Sequence, residues 1–353
     1  MRDWFGQKKP MIARELRLLL QARKADFTGV NPWGPDASAR LEGFASRGKM
    51  VRGGLLLLGY EMFARRSAPL AVRRAAAAIE IIHSSLLIHD DIMDNDRLRR
   101  GGRTVFAQYE RLGRDRRAAD PAHFGLSMGV CAGDVGYFIA WDILSRLALD
   151  PALKASLLGL VSRELAYVGL AQMQDVAFGS FPRTPTRREV VALYLYKTAR
   201  YTFSLPLAAG ALLAGAGKPA ARKLESLGER LGIIFQVRDD DLGMFGTEKE
   251  TGKPVGSDIR EGKKTLLYLE LFRRARGAEK RRLETLFGKP DLRPAEAAHV
   301  REAIEKLGAR DTLSGMLDGL AGEAERIIDS LPVSRHHAAV LRDISARSLR
   351  RAK

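Results

Sequence analysis

Cysteine is nearly absent. Cys131 is the single thiol in 353 residues, so no internal disulfide framework can form and a reducing compartment is expected. Long apolar runs are missing as well. The N-terminal patch Leu18–Leu20 sits among charges and reads as neither a signal peptide nor a span. No other stretch reaches the roughly 18 continuous apolar residues that a span needs. A cytoplasmic protein without a membrane span is expected. β-Branched residues are sparse and no run alternates convincingly with period two, which argues against a sheet. No low-complexity linker and no repeat divides the chain, so residues 1–353 are expected to form one domain. Acidic residues are in deficit: 42 Asp and Glu face 59 Lys and Arg, a formal net charge of +17. Such a balance suits nucleic acid, an anionic membrane or an anionic substrate. No zinc-finger spacing, basic zipper or aromatic-interleaved basic strand is present, so no nucleic-acid partner is expected. Peripheral contact with an anionic membrane remains open.

What the chain does have is helical periodicity almost throughout. Segments 75–87, 153–168, 190–196, 223–237 and 265–276 are rich in Ala and Leu, with spacing near 3.6. Hydrophobic residues make up 46% of the chain, enough for a large all-α core. Thr186-Arg187-Arg188-Glu189 reads as a capping box that opens the helix carrying Lys197 and Thr198.

Two acidic clusters interrupt these apolar helices: Asp90-Asp91-Ile92-Met93-Asp94 and Asp239-Asp240-Asp241. On a helix, Asp90 and Asp94 stand at i and i+4 and share a face, with Asp91 about a quarter turn away. Gln236, Asp239 and Asp240 repeat that spacing at i, i+3 and i+4. Carboxylates gathered on an apolar helix need cations. Hard oxygen ligands favour Mg²⁺, which usually keeps waters and takes further ligands from phosphates. Arg97, Arg99, Arg100 and Arg238 beside the acids suggest that the missing ligand is an anion. The simplest reading is a site of two or three Mg²⁺ ions that grips a diphosphate.

The ordered motifs resemble those of the trans-isoprenyl diphosphate synthases. His83 to Asp94 is similar to that family's first aspartate-rich motif, with Arg99-Arg100-Gly101 as its trailing double arginine. Gly48-Lys49-Met50-Val51-Arg52 is similar to its early basic motif. Gly133-Asp134, Gln172 with Asp175, Lys197-Thr198, Gln236 to Asp240, Gly252-Lys253 and Asp258 to Lys264 follow in family order. The resemblance implies an all-α bundle of antiparallel helices around a deep central cavity, and a homodimer. It implies that Asp90 and Asp94 hold two Mg²⁺ ions and Asp239 a third, with Asp91 and Asp240 as partial ligands or as supports behind the ligands. Arg99, Lys197 and Lys253 would contact an allylic diphosphate, with Thr198 and Gln236 beside the reacting carbon. Lys49, Arg52, His83 and Arg100 would hold isopentenyl diphosphate. Asp175 would orient a lysine.

Some positions depart from the family pattern. Gly243 stands where a third spaced acid is usual, and Asp241 adds an acid elsewhere. Arg47 replaces a frequent Gly, Gly53 a frequent Pro, Arg103 a Pro and Phe106 a His. The activity implied is head-to-tail condensation of isopentenyl diphosphate with an allylic diphosphate. Two alternatives stand beside it: a class I terpene cyclase, and a non-catalytic partner subunit of such a synthase. Ile82, Ser85 and Leu86 lie one to two helical turns before Asp90 and would set product length. With no aromatic there, a C20 product is expected, with C25 as the alternative.

Overall fold

The computed structural model describes residues 4–246 and 256–350. The chain is all-α, as its periodicity indicates. Among the described residues the strands are two residues each, Leu98–Arg99 and Gly102–Arg103, paired antiparallel. The chain divides into two compact units. One is Met1–Leu160 with Pro206–Gly217, and the other is Val161–Leu205 with Lys218–Lys353.

The first unit contains α1 (Trp4–Phe27), α2 (Trp33–Ala45), α3 (Val51–Ala64), α4 (Leu70–Met93), α5 (Val105–Asp115) and α6 (Pro121–Ser145). Leu55 to Leu58 are all inaccessible, so α3 is apolar on every side and buried. Each such leucine stabilises the fold by about 1.5–3 kcal/mol relative to exposure. α4 packs its Ala75–Ile82 stretch into the same core. α6 has the length and composition to cross a membrane, yet a stripe of glycines ties it into this unit. Gly125 and Gly129 lie against Phe106, Gly133 against His89, and Gly136 against Ser85 and Leu41. A Cβ on any of the four would collide with its neighbour, so the stripe sets how closely α4 and α5 approach.

The second unit is built on α10 (Lys218–Phe245), with α8 (Arg187–Leu193) and the helices that follow residue 256. Thr186 and Glu189 form the expected capping box. α8 then runs into an 11-residue π-helix, Tyr194–Ser204. Such wide turns are rare and concentrate at functional sites. Gly228 and Gly232 allow this segment to lie on α10: a Cβ on Gly228 would meet Ser204 N at 2.5 Å, and one on Gly232 would strike Ala199. One face of α10 therefore reads Gly228, Gly232, Gln236, Asp240, each four residues apart, with two glycines for contact and two polar residues beyond. α10 continues to Phe245, so the second acidic cluster lies inside the helix. α7 (Pro151–Ser180) and α9 (Leu205–Leu213) contribute residues to both units.

Candidate active site

In the first unit the acids gather at the C-terminus of α4. That is the negative end of the helix dipole, where carboxylates are disfavoured unless cations meet them. Asp94 is the C-cap, its N–H bonded to Asp90 O, and its side chain is exposed. Asp90 is 23% exposed and lies 3.9 Å from Arg99. Asp91 turns the other way. Its side chain is fully buried and accepts from Arg99 Nε, while Arg99 Nη2 reaches Asp96 at 3.2 Å. Burial pushes the Asp91 carboxyl up to about 7, although the Arg99 charge pulls it down. Asp91 is thus buried against Arg99, while Asp90 is partly exposed and Asp94 is exposed.

A hairpin sorts the paired arginines. Arg100 (φ 52°) and Gly101 (φ 72°) form its two-residue turn, both in the left-handed region that a tight hairpin demands. Arg99 therefore points to the acids. Arg100 donates to Phe44 O at 3.1 Å and stacks over the Phe44 ring. Sequence reasoning missed these strands because two-residue runs carry no periodicity. The Gly101-Gly102 pair was the available signal. Arg47, one of the departures, lays its guanidinium on Gly102, where a Cβ would clash.

Arg100 and Arg52 come near His83, seven residues before Asp90 on α4. Burial, then the charges of Arg52, Arg100 and Arg99, hold the His83 pKa well below its ordinary value. The ring is neutral and offers a single donor. Sequence reasoning missed Glu80, three residues before His83. It is buried, and its carboxylate accepts from Gly53 N at 2.7 Å. Met50, the N-cap of α3, makes no side-chain cap, so Glu80 caps that helix from α4. Burial raises its pKa, against the backbone N–H of Gly53 and the charges of Arg52 and Arg100. The departure at Gly53 acquires a reason here: proline has no N–H to donate. Lys49, just before α3, is exposed.

In the second unit the three acids of α10 have different surroundings. Asp239 is exposed. Asp240 accepts from Tyr194 Oη and, at 2.9 Å, from Gln236 Nε2. Burial pushes its carboxyl up to about 8. Asp241 accepts two bonds from Arg310, at 2.8 and 3.0 Å. Gln236 Oε1 accepts from Thr198 Oγ1 at 2.8 Å, and Lys197 Nζ donates to Asp175. Asp175 therefore orients the lysine, as expected. Gly243, where a third acid is usual, faces Asp258: a Cβ there would collide with Asp258 Oδ2. Asp258 fills the place a side chain at 243 would take. Tyr194 and Arg310 were missed because their partners lie 46 and 69 residues away. Lys253 lies outside the described residues.

Of the three positions expected to set product length, Ile82 and Ser85 are fully buried and Leu86 is partly exposed. Ser85 packs against Gly136 of α6. Among the described residues no three acids, histidines or cysteines converge closely enough to hold a cation by themselves. Mg²⁺ usually draws on water and phosphate for part of its coordination. Asp90 with Asp94, and Asp239, are exposed or half-exposed oxygen donors and suit that ion.

Residues 38–307 match the family model described as polyprenyl synthetase. A short chain isoprenyl diphosphate synthase of Methanocaldococcus jannaschii is 34% identical over 74% of this chain and 72% of its own length. A geranylgeranyl diphosphate synthase of Sulfolobus acidocaldarius is 32% identical over 80% of each chain. The crystal structure of geranylgeranyl pyrophosphate synthase from Corynebacterium glutamicum, complexed with isoprenyl diphosphate and magnesium, superposes with a TM-score of 0.90 at 31% identity. It covers 97% of this chain and 98% of that one. With a family model spanning well over half of its residues and the same fold in that neighbour, the chain belongs to the polyprenyl synthetase family.

Proposed function

We propose that the chain condenses isopentenyl diphosphate with an allylic diphosphate, head to tail, and that its main product is C20, with C25 as the alternative. One observation carries most weight: α4 bears two different surfaces for anions. Its C-terminus offers Asp90 and Asp94, which suit a metal-bound diphosphate. Two turns earlier, neutral His83 lies among Arg52 and Arg100, which suits a diphosphate held by hydrogen bonds alone. A terpene cyclase needs only the first surface.

Asp90 and Asp94 would hold two Mg²⁺ ions and Asp239 a third. Bound Mg²⁺ supplies charge neutralisation on the leaving diphosphate. Lys197, oriented by Asp175, and Arg99, through Nη1, would hold that diphosphate, as would Lys253. Thr198 and Gln236 would flank the allylic carbon. Lys49, Arg52, His83 and Arg100 would hold isopentenyl diphosphate. The C–O bond to the allylic diphosphate breaks, and the double bond of isopentenyl diphosphate forms the new C–C bond. The proton released in making the new double bond passes to an oxygen of the departing diphosphate. Asp91 and Asp240, each engaged by its own unit, act as supports.

We infer that residues 1–353 work as one catalytic domain in the cytoplasm. The exposed apolar face of α6, with Leu126, Val130 and Phe138 (72% exposed), supports a homodimer, which light scattering would test. Purified protein incubated with Mg²⁺, isopentenyl diphosphate and each allylic starter tests the activity. A longer prenyl diphosphate that requires isopentenyl diphosphate is expected. Product from the allylic diphosphate alone would mark a cyclase. Inactivity, with stimulation of a second synthase, would mark a partner subunit.

A further inference from the structure

We propose that Tyr194 is a positioning residue for prenyl transfer, setting the Thr198 hydroxyl through Asp240 and Gln236. The inference rests on the activity proposed above and concerns residues within the second unit alone.

Tyr194 opens the π-helix and Thr198 lies four residues on, both toward α10. On α10, Asp240 and Gln236 are also four apart. Two rungs result: Tyr194 with Asp240, and Thr198 with Gln236. A tyrosine hydroxyl has one hydrogen and two lone pairs. Its oxygen accepts the buried Leu266 N–H at 3.0 Å, so its hydrogen is free to go to Asp240 Oδ2. Asp240 Oδ1 takes the Gln236 amide hydrogen at 2.9 Å. An amide has a donor end and an acceptor end. With the NH₂ group turned to Asp240, Oε1 must face Thr198, and it receives the Thr198 hydrogen at 2.8 Å. The Thr198 proton therefore points inward and its lone pairs point away from Gln236. With Asp240 accepting at both oxygens, every group from the Leu266 backbone to Thr198 has one consistent orientation, and Tyr194 holds the Asp240 end of it. The close seat of the π-helix on Gly228 and Gly232 holds the two rungs in register.

Tyr194→Phe removes the hydroxyl and keeps the ring. Thr198→Ala removes the group that Tyr194 is argued to orient. With both substrates saturating, Tyr194→Phe should lower kcat ~10-fold and change the KM for isopentenyl diphosphate by less than about twofold. In a Thr198→Ala background the same change should cost less than about twofold, because the oriented group is already gone. Equal fold-losses in both backgrounds would overturn the inference, since a role in the fold alone is additive. Tyr194→Phe also strips the Leu266 N–H of its acceptor and could destabilise the unit. Gln236→Leu severs the same relay without touching Leu266 and should show the same non-additivity with Tyr194→Phe. Additivity in that pair overturns the inference as well. If the wild type makes no prenyl product, the proposed activity fails instead, so the two failures are distinguishable.

Discussion

The aspartate-bearing stretches of α4 and α10 read alike in sequence and are stabilised by different means. On α4 the acids crowd the helix C-terminus, and the counter-charge is a guanidinium delivered by a two-stranded hairpin within a few residues. On α10 the acids lie inside the helix. Their partners are a tyrosine hydroxyl, a glutamine amide and an arginine from a helix 69 residues on. The first arrangement opposes like charges with a strong local ion. The second spreads them over neutral donors and one distant cation. Membership of an acidic run therefore says little about a carboxylate's surroundings. Asp91, Asp240 and Asp241 are each taken up by protein, and Asp90, Asp94 and Asp239 are the exposed or half-exposed members.

The sharpest way to break that distinction is to compare acids within one run. Asp90→Ala and Asp239→Ala should lower turnover by on the order of 10²-fold or more. Asp241→Asn should keep turnover within about threefold and instead lower the denaturation midpoint, because it weakens the bidentate Arg310 pair. Circular dichroism and steady-state kinetics on the same preparations separate the outcomes. Turnover by Asp239→Ala like that of wild type would dissolve the distinction.

A smaller effect is expected from the contact that seats the π-helix. Gly232→Ala forces a Cβ into Ala199 and should destabilise by about 1–3 kcal/mol in urea denaturation. Activity should fall with it, since Thr198 lies next to Ala199. An unchanged urea midpoint would mean that the two helices have slack.

His83 offers a pH handle on the α4 side. The charged ring is disfavoured in the fold by burial and by Arg52, Arg100 and Arg99. The unfolded chain therefore binds a proton near pH 6.5 that the folded chain does not. This part of the stability is present above that pH and declines as pH falls, by at most about 1.4 kcal/mol per unit. His83→Gln should flatten the slope between pH 6.5 and 5 in urea titrations at stepped pH. An identical slope in the variant would place the ring in water.

The smallest effect should come from Ser85→Ala. Its hydroxyl is buried without a hydrogen-bond partner, so the change should fall within about 0.5 kcal/mol of wild type, or stabilise slightly. Ser85→Phe, by contrast, must displace α6 at Gly136. A drop in thermal midpoint should accompany any shortening of product.

Much of this was legible in the sequence, for physical reasons. Helical periodicity and the Thr186–Glu189 box are local signals, and local signals survive in a string of letters. The i, i+4 pairing of Asp90 with Asp94 follows from helix geometry. What escaped needed partners far along the chain. Glu80 capping α3, Tyr194 on Asp240 and Arg310 on Asp241 are all non-local. The π-helix escaped because a wide turn differs from an α turn by one residue, below the resolution of hydrophobic periodicity. Gly53 and Gly243 read as losses from a family pattern, yet one frees an N–H for Glu80 and the other makes room for Asp258.

The π-helix also makes residues 194–204 a counted segment. Each residue of an α-helix advances the chain by about 100° of rotation. Deleting about two residues between Tyr194 and Ser204 would let the wide turns relax to ordinary α turns without breaking the helix. The segment would still look helical by circular dichroism. Thr198 would nonetheless swing off the Gln236 and Asp240 face of α10. Length change should thus be tolerated in the connection at 181–185, before the capping box, and forbidden a few residues later. Among natural variants, insertions and deletions should stop abruptly at the start of α8.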